Sequence, residues 1–212
     1  MEERTLLLDS AEKRLLRSLS TPAKIQEFLD RIPYSSDPIY RSPRSVMRDR
    51  KAHCFDGAVF AAAALQAIGE LPLIMELKAV RDDDHLLALF RRDGCWGAVA
   101  KSNFVGLRYR EAIFRNLREL SLSYFEEFYN INGEKTLRAY SAPLDLGRFA
   151  ADSWQTIDSA LDRVAGRLDR IRHYPLLTRR QERGLAPVDE RFYRAGLLGA
   201  DEKGLFKPEP NK

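Results

Sequence analysis

The chain has 212 residues, 44% hydrophobic and 31% charged, with 12 Gly and 10 Pro, which excludes disordered, collagen-like and low-complexity polypeptides. Its 35 Lys and Arg against 31 Asp and Glu give a formal charge of +4; the densest basic stretches, Arg41 to Lys51 and Arg163 to Arg194, are interrupted by acids and lack a groove-reading motif, so no nucleic-acid partner is expected. An acidic start at Met1-Glu2-Glu3-Arg4, no run near the ~18 apolar residues of a membrane span, and two cysteines in all point to a cytoplasmic protein with free thiols and no membrane partner.

In chain order, Ser10 caps a short helix through Leu15, Leu16 and Leu19. Thr21 and Pro22 open a second, with Ile25, Phe28, Leu29 and Ile32 on one face, and Pro33 stops it. Residues 34–51 are polar, turn-rich and basic, and read as a long loop over the domain. From Phe55 to Ile68 the sequence is apolar on nearly every face, with four alanines at Ala61 to Ala64 and Gly69 as the natural stop. Such a helix must be enclosed by protein.

Three strand-like runs follow, Leu73 to Val80, Leu86 to Arg91 and Trp96 to Ala100. They are separated by Arg81-Asp82-Asp83-Asp84 and by Arg92-Asp93-Gly94, the latter a hairpin signal. A buried helix followed by an antiparallel meander is an α+β arrangement. Beyond it the periodicity predicts a long helix over Glu111 to Tyr129 and a strand over Leu137 to Leu146 with Pro143 at an edge. A further amphipathic helix is predicted through Trp154, Ile157, Leu161, Val164, Leu168 and Ile171. Residues 174–212 are expected to wrap the surface, with helical additions over 1–19 and 150–195 and a frayed tail over 200–212.

Few residues can carry chemistry. Cys54 falls in the first turn of the buried helix, where the dipole and free N–H groups favour a thiolate. His85 opens the second strand, 31 residues further on (85 − 54); a helix-then-meander layout can bring strand head and helix start together. Asn103, after the third strand, is placed to accept from the imidazole N–H. His53 is expected to line the cleft and Asp56 to act as a local cap or pair with Arg48 or Arg50. Cys95 is expected to be structural, His173 a cation at a helix end, and Asp82-Asp83-Asp84 a solvated turn. No metal site is expected.

Cys-x-Asp-x-Ala at Cys54 to Ala58, then Asp84-His85 opening a strand, then a strand carrying Trp96, resembles the transglutaminase-like branch of the papain-type cysteine hydrolases over about residues 20–105. The resemblance implies a single transglutaminase-like domain, residues 1–212. Its core would be a buried Cys-bearing helix on an antiparallel sheet, with flanking N- and C-terminal helices. It further implies acyl transfer through a thioester on amide bonds of a peptide or protein, without a cofactor. Carried over, Cys54 is the nucleophile and His85 the base. The family's Asp after the strand-three Trp falls on Ala100 here, and Asn103 or Ser102 is the nearest substitute. Cys95 stands where the family has Gly. His53, Trp96, Ser102 and Phe104 are the expected substrate-binding residues, with Phe104 to Arg110 a connecting loop. A catalytically silent member of the same fold, serving as a binding or scaffolding protein, is the alternative.

Overall fold

Asp93 and Gly94 both take left-handed backbone conformations, φ 50° and 80°, which twist the chain into the tight hairpin that the Asp-Gly pair signals. Around that hairpin a computed structural model describes residues 8–207. The acidic start, Met1 to Arg4, and the chain end, Pro208 to Lys212, lie outside the described residues. The meander is β1 (Leu73–Ala79), β2 (His85–Arg92) and β3 (Cys95–Val99). The sheet continues through β4 (Arg110–Phe114), β5 (Leu137–Ser141), β6 (Leu144–Asp145) and β7 (His173–Pro175), in the order β4-β3-β2-β1-β5-β7 with β6 also on β1. Every pairing is antiparallel, so the α+β expectation holds.

The helices of the N-terminal half share one face. They are α1 (Ser10–Ser18), α2 (Pro22–Arg31), α3 (Pro43–Asp49) and α4 (Cys54–Ala67). In α4 every residue from Phe55 to Leu65 is buried, because the sheet covers one side and α1, α2 and α3 the other. Alternation along β2 separates two cores: Leu86, Ala88 and Phe90 pack with α4, whereas Leu87 and Leu89 join Leu107, Leu120, Tyr124 and Phe128 on the opposite face.

Several elements differ from the sequence reading. Asp9, not Ser10, caps α1, in a reciprocal pair with Glu12. The expected loop 34–51 contains α3, capped by Ser42 with Pro43 in its first turn. Instead of one helix over 111–129 there are β4 and a short α5 (Leu117–Leu122) capped by Asn116. Residues 110–114 alternate between half-buried and exposed, and the open edge of β3 recruits them: tertiary pairing overrides a helical period. Pro143 sits between β5 and β6 rather than in an edge strand; β5 lies inside the sheet, between β1 and β7. The helix through Trp154 to Ile171 shortens to α6 (Leu161–Leu168), with Leu161, Val164 and Leu168 buried and Ile157 exposed. The C-terminal segment contributes β7, α7 (Arg179–Arg183) and α8 (Glu190–Gly196). The described part of the expected frayed tail folds back as a turn over Glu202–Gly204.

Candidate active site

Cys54 is the first residue of α4, and the backbone before it is fixed from two directions. The His53 ring accepts from the Asp56 N–H at 3.3 Å while the Asp56 carboxylate accepts from the His53 N–H at 3.3 Å, a reciprocal cap. Ala52 forms a parallel bridge with Tyr34, closed by Ser35 N–H to Ala52 carbonyl at 3.0 Å. Asp56 is fully buried, and its ionic partner is Arg41, not Arg48 or Arg50. It accepts from the Arg41 backbone N–H at 2.7 Å and lies 3.6 Å from the guanidinium. Burial pushes its carboxyl up to about 7 despite those donors.

The thiol reaches the head of β2. Cys54 Sγ lies 3.8 Å from the Asp84 carbonyl and also meets the N–H groups of Phe55 and Leu86. The sequence predicts a thiol shifted down by the helix dipole; the structure reverses that. Burial, with Asp83 and Asp56 nearby, pushes the Cys54 thiol up to about 12, so the resting sulfur is protonated.

His85, the first residue of β2, is 4% exposed. Its place in the alternation is that of Leu87 and Leu89, and its ring stands edge-on to Phe128, 6.3 Å between centroids. The sulfur lies at the peptides on either side of His85 while the ring turns to the opposite face of β2, and both residues line one cavity of about 40 Å3 at the strand head. His85 Nε2 lies 2.8 Å from the Leu107 carbonyl. A carbonyl can only accept, so Nε2 carries the proton and Nδ1 is left as the basic nitrogen. Burial, aided by Arg110 and opposed by the Leu107 carbonyl, pulls the ring down to about 4.

The Leu107 carbonyl thus takes the orienting place that the sequence assigns to Asn103. Asn103 lines the same cavity, but both ends of its amide engage Asp201: Nδ2 donates to the Asp201 carbonyl at 2.7 Å and Oδ1 accepts from its N–H at 2.7 Å. Ser102 and Phe104 also line the cavity; Ser102 Oγ accepts from the Phe104 N–H at 2.9 Å. Trp96 lies at the far end of β3, under the Arg91 guanidinium at 4.9 Å, and lines neither this cavity nor the larger one. His53 lines the larger one, a cleft of about 870 Å3 that also reaches Cys54.

Tyr34 and the Leu107 carbonyl are the neighbours that sequence reasoning missed. Tyr34 lines both cavities together with Cys54, its hydroxyl close to the Cys54 backbone N–H and thiol; burial and the thiol raise the phenol above its usual range. No local pattern marks it: its role comes from the bridge to Ala52. The acidic turn is less solvated than expected, since Asp82 accepts from Thr136 at 2.7 Å and Asp84 from Lys78 and from the Ala79 N–H. His173 sits in β7, its Nε2 2.7 Å from the Glu76 carboxylate, not at a helix end. Burial raises the Glu76 carboxyl against the pull of His173. Among the described residues no group of three or more His, Cys, Asp or Glu could hold a metal ion, and no helix is long and apolar enough to cross a membrane.

No family model and no curated protein matches the chain. Among solved structures it is similar to Legionella pneumophila LapG at 20% identity and a TM-score of 0.35, covering 44% of this chain and 60% of that one. It is similar also to EGTA-treated LapG from the same organism at 18% identity and a TM-score of 0.37, covering 49% and 64%. The matched part is therefore less than two thirds of the LapG chains.

Proposed function

We propose that this chain is a cysteine-dependent acyl-transfer enzyme on a papain/transglutaminase-like core, acting on an amide of a peptide or protein, with Cys54 as nucleophile and His85 as base. The observation that carries the reading is the shared cavity at the head of β2, lined by Cys54 and by a histidine whose Nε2 is tied to the Leu107 carbonyl. In the step, His85 Nδ1 takes the thiol proton as sulfur adds to the carbonyl carbon. The Cys54 N–H and the Tyr34 hydroxyl, which lie near one another beside the sulfur, are the donors offered to the oxyanion. The imidazolium returns its proton to the leaving amine as the C–N bond breaks, which leaves a thioester on Cys54. Water, or an amine for transamidation, then releases the acyl group. The Leu107 carbonyl acts as the positioning group for the ring.

With the thiol near 12 and the ring near 4, the resting pair is neutral and poorly matched for proton transfer. Burial is the first cause of both shifts, so hydration of an opened cleft moves the two values toward one another.

A second reading, a catalytically silent binding protein of the same fold, draws on Ala100 standing at the acidic position of the resemblance and on the engagement of Asn103 by Asp201. The two readings separate on incubation with p-nitrophenyl acetate. The enzyme reading expects an acetyl group on Cys54, seen by mass spectrometry, that turns over. Cys54→Ser abolishes the adduct, and His85→Gln slows its formation and release by about a hundredfold or more. Acetylation without turnover, at equal rates in wild type and His85→Gln, favours the silent protein.

A further inference from the structure

The cleft beside Cys54 already has an occupant. Residues 201–206 return to it from α8, after the Gly196 carbonyl has accepted from the Val105 N–H at 2.9 Å. Asp201 is pinned by both ends of the Asn103 amide, each at 2.7 Å, and its own carboxylate caps the turn at Lys203 at 3.1 Å. Gly204 then passes between Tyr34 and Asn103: a Cβ there would lie 2.8 Å from two atoms of the Tyr34 ring and 3.2 Å from Asn103 Nδ2. Its φ is not positive, so glycine is required by the close approach and not by backbone conformation. Gly204 and Phe206 complete the wall of the small cavity that holds Cys54 and His85. Lys203 borders the larger cleft, whose other charged side chains include Asp83, Asp84, Asp162 and Asp169, so the segment's cation suits its surroundings.

We propose that the narrow end of this cleft, between Tyr34 and Asn103, is a peptide-docking groove occupied by the chain's own Asp201–Phe206 segment. An extended peptide with a glycine at the narrow point between Tyr34 and Asn103, preceded by a cationic residue, is the partner the groove fits when the segment leaves. The Asn103–Asp201 pair is the latch. The inference concerns access to the thiol and stands whether or not the thiol turns over.

The test uses the full-length chain, with iodoacetamide alkylation of Cys54 measured by mass spectrometry and Cys95 as internal reference. Gly204→Val wedges the segment off the Tyr34 ring. Asp201→Pro removes one N–H of the latch at a position whose φ of −81° accepts proline. Both are expected to raise the Cys54 rate about tenfold, as loss of one or two hydrogen bonds from a closed state predicts, with Cys95 unchanged. A synthetic peptide Ala-Asp-Glu-Lys-Gly-Leu-Phe-Lys, added at about millimolar concentration to match an intramolecular segment, restores protection to Gly204→Val. The same peptide with Val for Gly does not. An unchanged Cys54 rate in both variants overturns the closure, and equal protection by the two peptides, or none, overturns the groove. A His85→Gln background separates this from catalysis: the ratio of Gly204→Val to Gly204 alkylation rates persists there even if acyl turnover is absent.

Discussion

His85 Nε2 and the Leu107 carbonyl oxygen are 2.8 Å apart, and this one contact sets the tautomer of a buried imidazole. Because burial pulls the ring from 6.5 down to about 4, the folded protein binds this proton less readily than the unfolded chain. Stability linked to His85 is therefore complete above 6.5 and is lost as pH falls toward 4. The loss amounts to roughly 3 kcal/mol over that range. Denaturant unfolding from pH 7 to pH 4 should show the slope, and His85→Leu should flatten it. An NMR titration of the His85 ring with a midpoint near 6.5 would contradict the assignment.

Cys54 is expected to behave as a resting thiol. With a value near 12, its thiolate fraction at pH 8 is about a thousandfold below that of an unperturbed cysteine. Alkylation should be correspondingly slow in the wild-type chain. Asp83 is the second cause of the shift, after burial. Asp83→Asn removes that carboxylate while leaving the hydrogen bonds of Asp84 and the fold in place, and should speed modification several-fold. A rate independent of Asp83 would mean that burial and Asp56 hold the proton without it.

What could be read from the residues divides along physical lines. The α4 helix and the β2–β3 hairpin were legible because their causes are local: an all-apolar run with an alanine centre, and an Asp-Gly pair whose backbone must turn. Cys54 and His85 were legible as candidates, and the structure places both on one cavity. The rest depends on partners distant in sequence. β4 exists because β3 offers an unpaired edge, and α3 because a hub at Arg41 organises what composition describes as a loop. Asn116, whose side chain accepts from the Glu119 N–H at 2.9 Å, is a cap that the period-based reading of one helix over 111–129 passes over. The direction of the Cys54 shift was misjudged for a related reason. A helix dipole can be seen in sequence, but the burial and carboxylates that outweigh it cannot.

That hub makes a stability prediction. Arg41 is 2% exposed and bonds Asp37, Asp49 and Ser35 while facing the fully buried Asp56. Arg41→Met should destabilise the protein by about 1–3 kcal/mol, from the hydrogen bonds lost at Asp37, Asp49 and Ser35 and from an Asp56 carboxyl that, already near 7, takes up a proton at neutral pH. Adding Asp56→Asn removes the group that must take up that proton while keeping an acceptor for the backbone N–H of residue 41, so the double variant should be more stable than Arg41→Met alone. Urea unfolding of the four species of the cycle checks this; strict additivity would show that Arg41 and Asp56 do not act as a pair.

Gly57 supports the site from beneath. It lies one turn into α4, and a Cβ there would be 2.2 Å from Lys101 Cβ. Lys101 cannot yield, since its Nζ donates to the carbonyls of Leu29 at 2.8 Å and Ile32 at 2.6 Å, at the end of α2. Gly57→Ala must therefore push α4 away from the segment that carries Ser102 and Asn103. Overpacking of this kind costs about 1–3 kcal/mol, against a gain of about 1 kcal/mol from the better helix former. The net effect should be destabilisation together with faster alkylation of Cys54, as the first turn of α4 separates from the latch. Gly166 in α6 provides the contrast, because a Cβ there meets nothing nearer than Arg170 Nη2 at 3.9 Å. Gly166→Ala should stabilise by about 0.5–1 kcal/mol and leave the thiol untouched. Opposite signs for the two substitutions in thermal unfolding are the expected result. A stabilised Gly57→Ala would show that α4 does not rest on Lys101.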